Sequence, residues 1–248
     1  MIFSTTFFAH ALFATSVVAL SNREHFANSP DDVESENWGG AVLTADTGTY
    51  TSIRADFVLS VPTARFQPDT ECASVWVGID GYNDCESAIL QTGIYLCVLN
   101  TTVTYTAWYE FFPAGAINFD SDDITFSEGD SVTLSATVST PTSGTLTVTN
   151  NSKNITVSQF VTSTTELCQN SAEWIIEQGF SDFIDFPDFH TVVFTGASAS
   201  SSSGVVQTPV DATIVDLVSL NLFDQITTTI VEGDTVNITF IGPPTGLD

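Results

Sequence analysis

The chain has 248 residues, 43% of them hydrophobic, which is enough for one sizeable core. Thirty acids against four bases give a net charge of −26, which excludes nucleic acid and anionic membrane surfaces as partners, because both are held by clustered Lys and Arg. Only 14% of residues are charged, so this is no disordered acidic tail; the chain repels itself at neutral pH and suits an acidic medium, where carboxylates near their ordinary value of roughly 4 lose charge.

Residues 1–19 read as a secretory signal. Phe7 to Leu20 is an apolar run too short to span a bilayer, and Val17-Val18-Ala19 offers small residues for cleavage after Ala19. Residues 20–33 are polar and read as a short leader or pro-segment. From residue 34 to 248 one domain is expected. Its segments "GGAVLTA", "YTSIRADFVLSV", "SVWVGI", "AILQTGIYLCVL", "TVTYTAWYEFF", "DSVTLSATV", "GTLTVTN", "TVSQFVT", "HTVVFTG", "TIVDLVSL" and "TVNITFIG" are rich in β-branched and aromatic residues and separated by turn residues. No segment of helical period is long enough to compete, so the fold class is all-β, a large antiparallel sandwich or barrel. "SEGDSVTLSATV" and "VEGDTVNITF" share a turn into an alternating strand. "TGASASSSSG", residues 195–204, reads as a flexible loop.

Cys72, Cys85, Cys97 and Cys168 form an even set in a secreted context, which means two disulfides in one of three connectivities. Sequons at Asn100, Asn150, Asn154 and Asn237 mark N-glycosylation on surface loops. Histidine chemistry is nearly closed off: His10 and His25 lie in the leader, leaving His190, and no G-x-S-x-G motif accompanies it. No Cys or His pattern suits a metal, and no glycine-rich loop suits a nucleotide, so no cofactor is expected. Asp46-Thr47-Gly48 looks like an aspartic-protease loop, but that chemistry needs two such loops; between strand signals it reads as a hairpin turn.

"SAEWIIEQGF" puts Glu173 and Glu177 four residues apart, on one face of an extended chain, in an otherwise apolar run. With "ENWGGAVL", "SVWVGIDGYNDCESAILQTG" and "YTAWYEFFP", in this order and spacing, it resembles the fungal glutamic peptidases, the eqolisin family. The resemblance implies a sandwich of two antiparallel sheets of about seven strands each. It implies a dyad of Gln91, from "ILQTG", and Glu177, the second glutamate of "AEWIIE", with Glu173 as its neighbour. Trp38 and Gly40, Trp76, Asp80 and Gly81, and Trp108 and Glu110 fall where that family has its substrate cleft. Cys85 and Cys168 fall where it pairs two cysteines, which leaves Cys72 and Cys97 as the second pair.

The activity so implied is that of a secreted, pepstatin-insensitive acid endopeptidase, monomeric and acting on polypeptides. A carboxylate can take a proton from water and return it to the leaving nitrogen, and an amide can stabilise the oxyanion without changing charge. At its ordinary value near 4, such a glutamate stays a usable base in acid. The alternative is a silent sandwich that binds peptide or glycan in a tryptophan-lined groove. The chain departs from the family's best-known member at three places: Tyr95 stands where that protein has an acid, Phe112 where it has a tyrosine, and Gln178-Gly179-Phe180 where an acidic stretch is usual.

Overall fold

The computed structural model describes residues 32–66, 69–178, 186–219 and 224–242. The signal, most of the leader and Gly179-Phe180 lie outside these residues. The described chain builds two facing sheets. The first contains β1 (Val33–Ser35), β14 (Thr213–Leu217), β2 (Trp38–Thr44), β11 (Ser171–Gln178), β4 (Thr70–Ile79), β5 (Ile89–Leu99), β6 (Thr102–Phe112) and β7 (Ile117–Asn118), in that spatial order. The second runs β10 (Ile155–Thr162), β9 (Ser143–Asn150), β8 (Ser131–Thr140), β3 (Tyr50–Val58), β12 (Thr191–Ser201), β16 (Thr235–Phe240) and β15 (Thr227–Glu232), with β13 (Val206–Gln207) beside β12. Only β1 with β14 is parallel; the other pairings are antiparallel. This is the all-β sandwich expected, with short strands added at the edges.

Between the sheets lies one core. Leu134, Leu146, Val148, Phe194 and Ile238 of the second sheet meet Val75, Val77, Leu90, Ile94, Trp174 and Ile176 of the first. The Trp174 indole crosses the gap to donate to the Arg54 carbonyl at 3.1 Å. In β8 and β9 the burial alternates residue by residue, as a strand with one wet face requires. In β4 and β11 nearly every residue is buried on both faces. Something therefore covers the outer face of the first sheet.

Several local expectations change. Residues 195–201 are not a loop but the second half of β12. Val192 and Phe194 point inward; a register shift at Gly196, where φ is +58°, moves the inward set to Ala197 and Ala199. Ala197 and Ala199 are buried on a strand paired side by side with β3, so low hydrophobicity did not mean disorder. Asp46-Thr47-Gly48 is a turn, with Gly48 at φ +80°. It joins β2 of one sheet to β3 of the other, so it is not a hairpin. The "VEGDTV" turn does close a hairpin, and the strand before it, β15, carried no sequence signal recognised above.

Asn100 and Asn154 sit on exposed turns. Asn237 is half-buried within β16, on a strand and not on a loop. Asn150 is fully buried. Its Nδ2 donates to the Thr125 carbonyl at 2.9 Å and to Asp130 at 2.7 Å, which leaves that nitrogen no access for a glycan. The described basic residues are all engaged: Arg54 with Asp56 at 3.1 Å, Lys153 with Asp130 at 3.2 Å, and Arg65 over the rings of Phe66 and Phe240.

Candidate active site

The cover on the outer face of the first sheet is aromatic and carboxylic. Strand register lines the residues up in rows across β2, β11, β4, β5 and β6. One row runs Val42, Glu173, Gly78, Gln91, Glu110. The next runs Gly40, Ile175, Trp76, Gly93, Trp108, and a third Trp38, Glu177, Ser74, Tyr95, Thr106. Adjacent strands lie about 4.8 Å apart, so Glu177 and Tyr95 are two strands apart with only a serine between.

Two glycines make room for the indoles. A Cβ at Gly93 would lie 2.7 Å from the Trp108 ring, and one at Gly78 would lie 2.9 Å from the Trp76 ring. Trp76 and Trp108 are thereby laid flat and buried as a floor. Trp38, half-buried, stands edge-on to Trp76 with centroids 5.0 Å apart. Tyr95 stacks on Trp108 at 5.2 Å.

The structure brings Gln91, Glu177, Trp38, Trp76, Trp108 and Glu110 onto this one face. Gly40 lies beneath it; its φ is +149°, and a side chain there would strike the Trp174 carbonyl at 2.1 Å. Asp80 takes a different place from the one expected. It is fully buried, and its carboxylate accepts backbone N–H groups of Gln169 at 2.7 Å and Asn170 at 2.9 Å. It ties the end of β4 to the segment entering β11 and faces no substrate. Gly81 continues this loop at φ +104°, where a Cβ would meet Ile89 at 2.5 Å.

Both disulfides expected are formed. Cys85–Cys168 has Cα atoms 6.1 Å apart and fastens the loop entering β5 to the loop entering β11. Cys72–Cys97 joins directly paired residues of β4 and β5, with a Cα separation of 4.1 Å, closer than the roughly 4.4–6.8 Å usual for disulfides.

Burial governs the acids. Glu177 accepts the Trp76 indole N–H at 2.9 Å. Burial pushes its carboxyl up to about 7; the Trp76 and Trp38 indoles oppose that, and the Glu110 charge adds to it. The ordinary value near 4 expected from sequence is therefore not kept, and below neutrality the resting Glu177 is an acid. Burial also raises Glu110, against hydrogen bonds from Gln91 and the Ala116 N–H. Glu173, wholly buried, is pushed well above the ordinary range by burial, and Asp80 acts the same way. The Tyr95 phenol is raised by burial, then by Glu110 and Glu177, which places it near both carboxyls. Ser74 went unnoticed in the sequence; a lone small hydroxyl in "ECASVWVGI" was its signal. Among the described residues no cluster of His, Cys, Asp and Glu is arranged to hold a metal.

A buried proton-carrying glutamate and a buried amide on one face, over an indole floor, are groups that can serve the hydrolysis of an amide bond. The sequence pattern of the peptidase A4 family matches residues 36–240. The chain belongs to that family. Aspergillopepsin-2 of Aspergillus niger is 37% identical over 232 residues, covering 84% of this chain and 78% of that protein. Scytalidopepsin B of Scytalidium lignicola is 33% identical over 229 residues, covering 86% and 81%. The solved structure of scytalido-glutamic peptidase with a transition-state analogue inhibitor superposes with a TM-score of 0.71, covering 84% of this chain and 99% of that one. Aspergilloglutamic peptidase from A. niger superposes at 0.64, with 40% identity over 69% of this chain. The fold is thus the eqolisin sandwich, and membership of this A4 peptidase family makes the chain a peptidase, a hydrolase of polypeptides. No described helix is long and apolar enough to cross a membrane.

Proposed function

We propose that this peptidase is a secreted acid endopeptidase, insensitive to pepstatin and monomeric, working through Glu177 and Gln91. The observation that carries this reading is the shared outer face of the first sheet. There Glu177 and Gln91 lie on strands β11 and β5, separated by β4, over a buried indole floor. Because Glu177 holds its proton up to about 7, it enters the reaction in acid as a neutral carboxyl. Such a group carries a donor on one oxygen and an acceptor on the other. As water adds to the scissile carbonyl carbon, one oxygen takes the water's proton, and the O–H gives its own to the leaving nitrogen. The C–N bond breaks and Glu177 ends protonated, as it began. The Gln91 amide steadies the charge that gathers on the carbonyl oxygen. Residues 1–19 serve export, residues 20–33 form the leader, and Asn100 and Asn154 are the sequons whose exposure suits glycosylation.

The test is hydrolysis of a protein substrate at acid pH with pepstatin present, across a pH series. Activity should persist with pepstatin and decline as Glu177 ionises near 7. A rate that climbs about tenfold per pH unit toward 7 would mean that the ionised carboxylate is the working form.

A further inference from the structure

The two sheets have four edges, and among the described residues three of them are blunted. The first sheet ends in β1 and β7, three and two residues long, which offer another chain little to pair with. At one end of the second sheet, β15 finishes on Glu232, and its first residue is held by the first sheet, where the Leu217 N–H donates to Thr227 Oγ1 at 2.9 Å. The fourth edge is β10. Its 8 residues run in unbroken register with β9, so it carries no bulge. It has no proline and no charge. Ile155, Thr156, Val157, Phe160, Val161 and Thr162 are all β-branched or aromatic, and Phe160 is 56% exposed. One of its carbonyls is covered, because Gln159 Nε2 donates to the Phe160 oxygen at 2.9 Å. An edge of this composition and length is a template for a second copy of itself.

Charge gives that edge little protection in acid. The neighbouring strands β9 and β8 carry none, and β6, which β10 meets across the gap, brings only Glu110, on the far side of its own sheet. Lys153, in the turn before β10, is paired with Asp130. At neutral pH the net charge of −26 keeps copies apart. As carboxyls of ordinary value, roughly 4, take up protons, that repulsion fades. A carboxyl placed on the edge would fail in the same way, whereas a bulky neutral group would not. Asn154 stands one residue before β10, exposed on the turn, in the sequon Asn154-Ile155-Thr156. We propose that the N-glycan on Asn154 guards the β10 edge, a hydrated steric block that stops two copies from joining their second sheets strand to strand in acid. This rests on the reading of the chain as exported and working in acid. In the antiparallel pairing so prevented, Ser158 and Gln159 lie at the centre, and the two Asn154 glycans would stand at the two ends of the joined strands.

The experiment is peptide mapping of the protein secreted from a glycosylating host, then light scattering at pH 4 and pH 8 over a range of protein concentrations. The parent should carry a glycan at Asn154 and be monomeric at both pH values. Asn154→Gly suits the left-handed backbone at φ +55°, and Thr156→Val keeps a β-branched strand residue, so each removes the sequon without opposing the local structure. Both should at least double the measured mass at pH 4 as concentration rises, and stay monomeric at pH 8. Thr156→Ser keeps the sequon and should behave as the parent does. Adding Ser158→Lys to Asn154→Gly should restore the monomer at pH 4, since an ammonium keeps its charge in acid. A parent that is bare at Asn154 overturns the inference. So do sequon variants that stay monomeric at pH 4, or an association that Ser158→Lys leaves untouched. If Asn154 is bare while Asn100 is occupied, export stands and only the guard falls; if the chain stays in the cell with both bare, the reading of export falls with it.

Discussion

The two sheets come from one chain with similar strand chemistry, yet their outer faces are opposites. On the second sheet the outward residues are Ser and Thr, paired across strands: Thr147 with Ser158 at 2.8 Å, and Thr149 with Thr156 at 2.9 Å. Those groups remain partly solvated and cost little to place. On the first sheet the outward residues are tryptophans and acids sunk into one another, and Glu110, Glu173 and Glu177 are raised, each chiefly by burial. A polar outer face is what a sandwich needs to fold. A face that buries acids is unfavourable for folding, and chemistry is what it provides in exchange.

The sharpest way to break this comparison is to substitute on each face. Glu177→Gln keeps shape and a hydrogen-bonding group but cannot pass a proton, so activity should drop to background while peptide binding persists in a calorimetric titration. Survival of acid proteolysis in that variant would place the chemistry elsewhere. Gln91→Ala should reduce turnover by roughly a hundred- to a thousandfold, measured as kcat.

Stability should divide along the same line. Groups whose folded values are raised stabilise the fold below their unfolded value, about 4, and that contribution is lost as pH rises through the folded value. With Asp216 raised to about 6, Glu177 to about 7 and Glu173 raised well above its ordinary value, the loss should begin above the unfolded value of about 4 and run on through those values. The melting temperature near pH 4 should therefore exceed that near pH 8, and Glu173→Gln should narrow the gap while leaving most activity. Equal melting temperatures at constant ionic strength would count against this. The smallest effects belong to the second sheet and the turns. Thr149→Ala should cost about 0.2–1 kcal/mol of stability by denaturant titration, with unchanged kcat. Asp46→Asn should be nearly silent in activity, since its turn only links the sheets.

Much of this was legible in the sequence because it lay in local pattern. Eleven apolar-polar runs were strands, and four motifs in order carried the family and, through it, both disulfides. What stayed hidden depends on contacts between distant segments. Asp80 sits in "GIDG" like an exposed loop acid, yet the backbone of Gln169 and Asn170 closes over it. Asn150 satisfies a sequon, but Asp130 and Thr125 bury it. The β12 segment "ASASS" has loop composition, and its pairing with the sequence-distant β3 is what makes it a strand. The proton affinity of Glu177 belongs to no motif; it comes from burial and the Glu110 charge, set against the Trp76 and Trp38 indoles, groups gathered from three other strands.

The engagement of every described basic residue has a consequence for ionic strength. In acid, where the carboxyls are neutral, the fold is held by apolar contact, uncharged hydrogen bonds and two covalent links, with few ion pairs left for salt to screen. Above neutrality most of thirty carboxyls repel one another at separations comparable with the roughly 10 Å Debye length of 0.1 M salt. Added salt should therefore do almost nothing for the protein at pH 4 and rescue it visibly at pH 8, so that brine substitutes in part for acid.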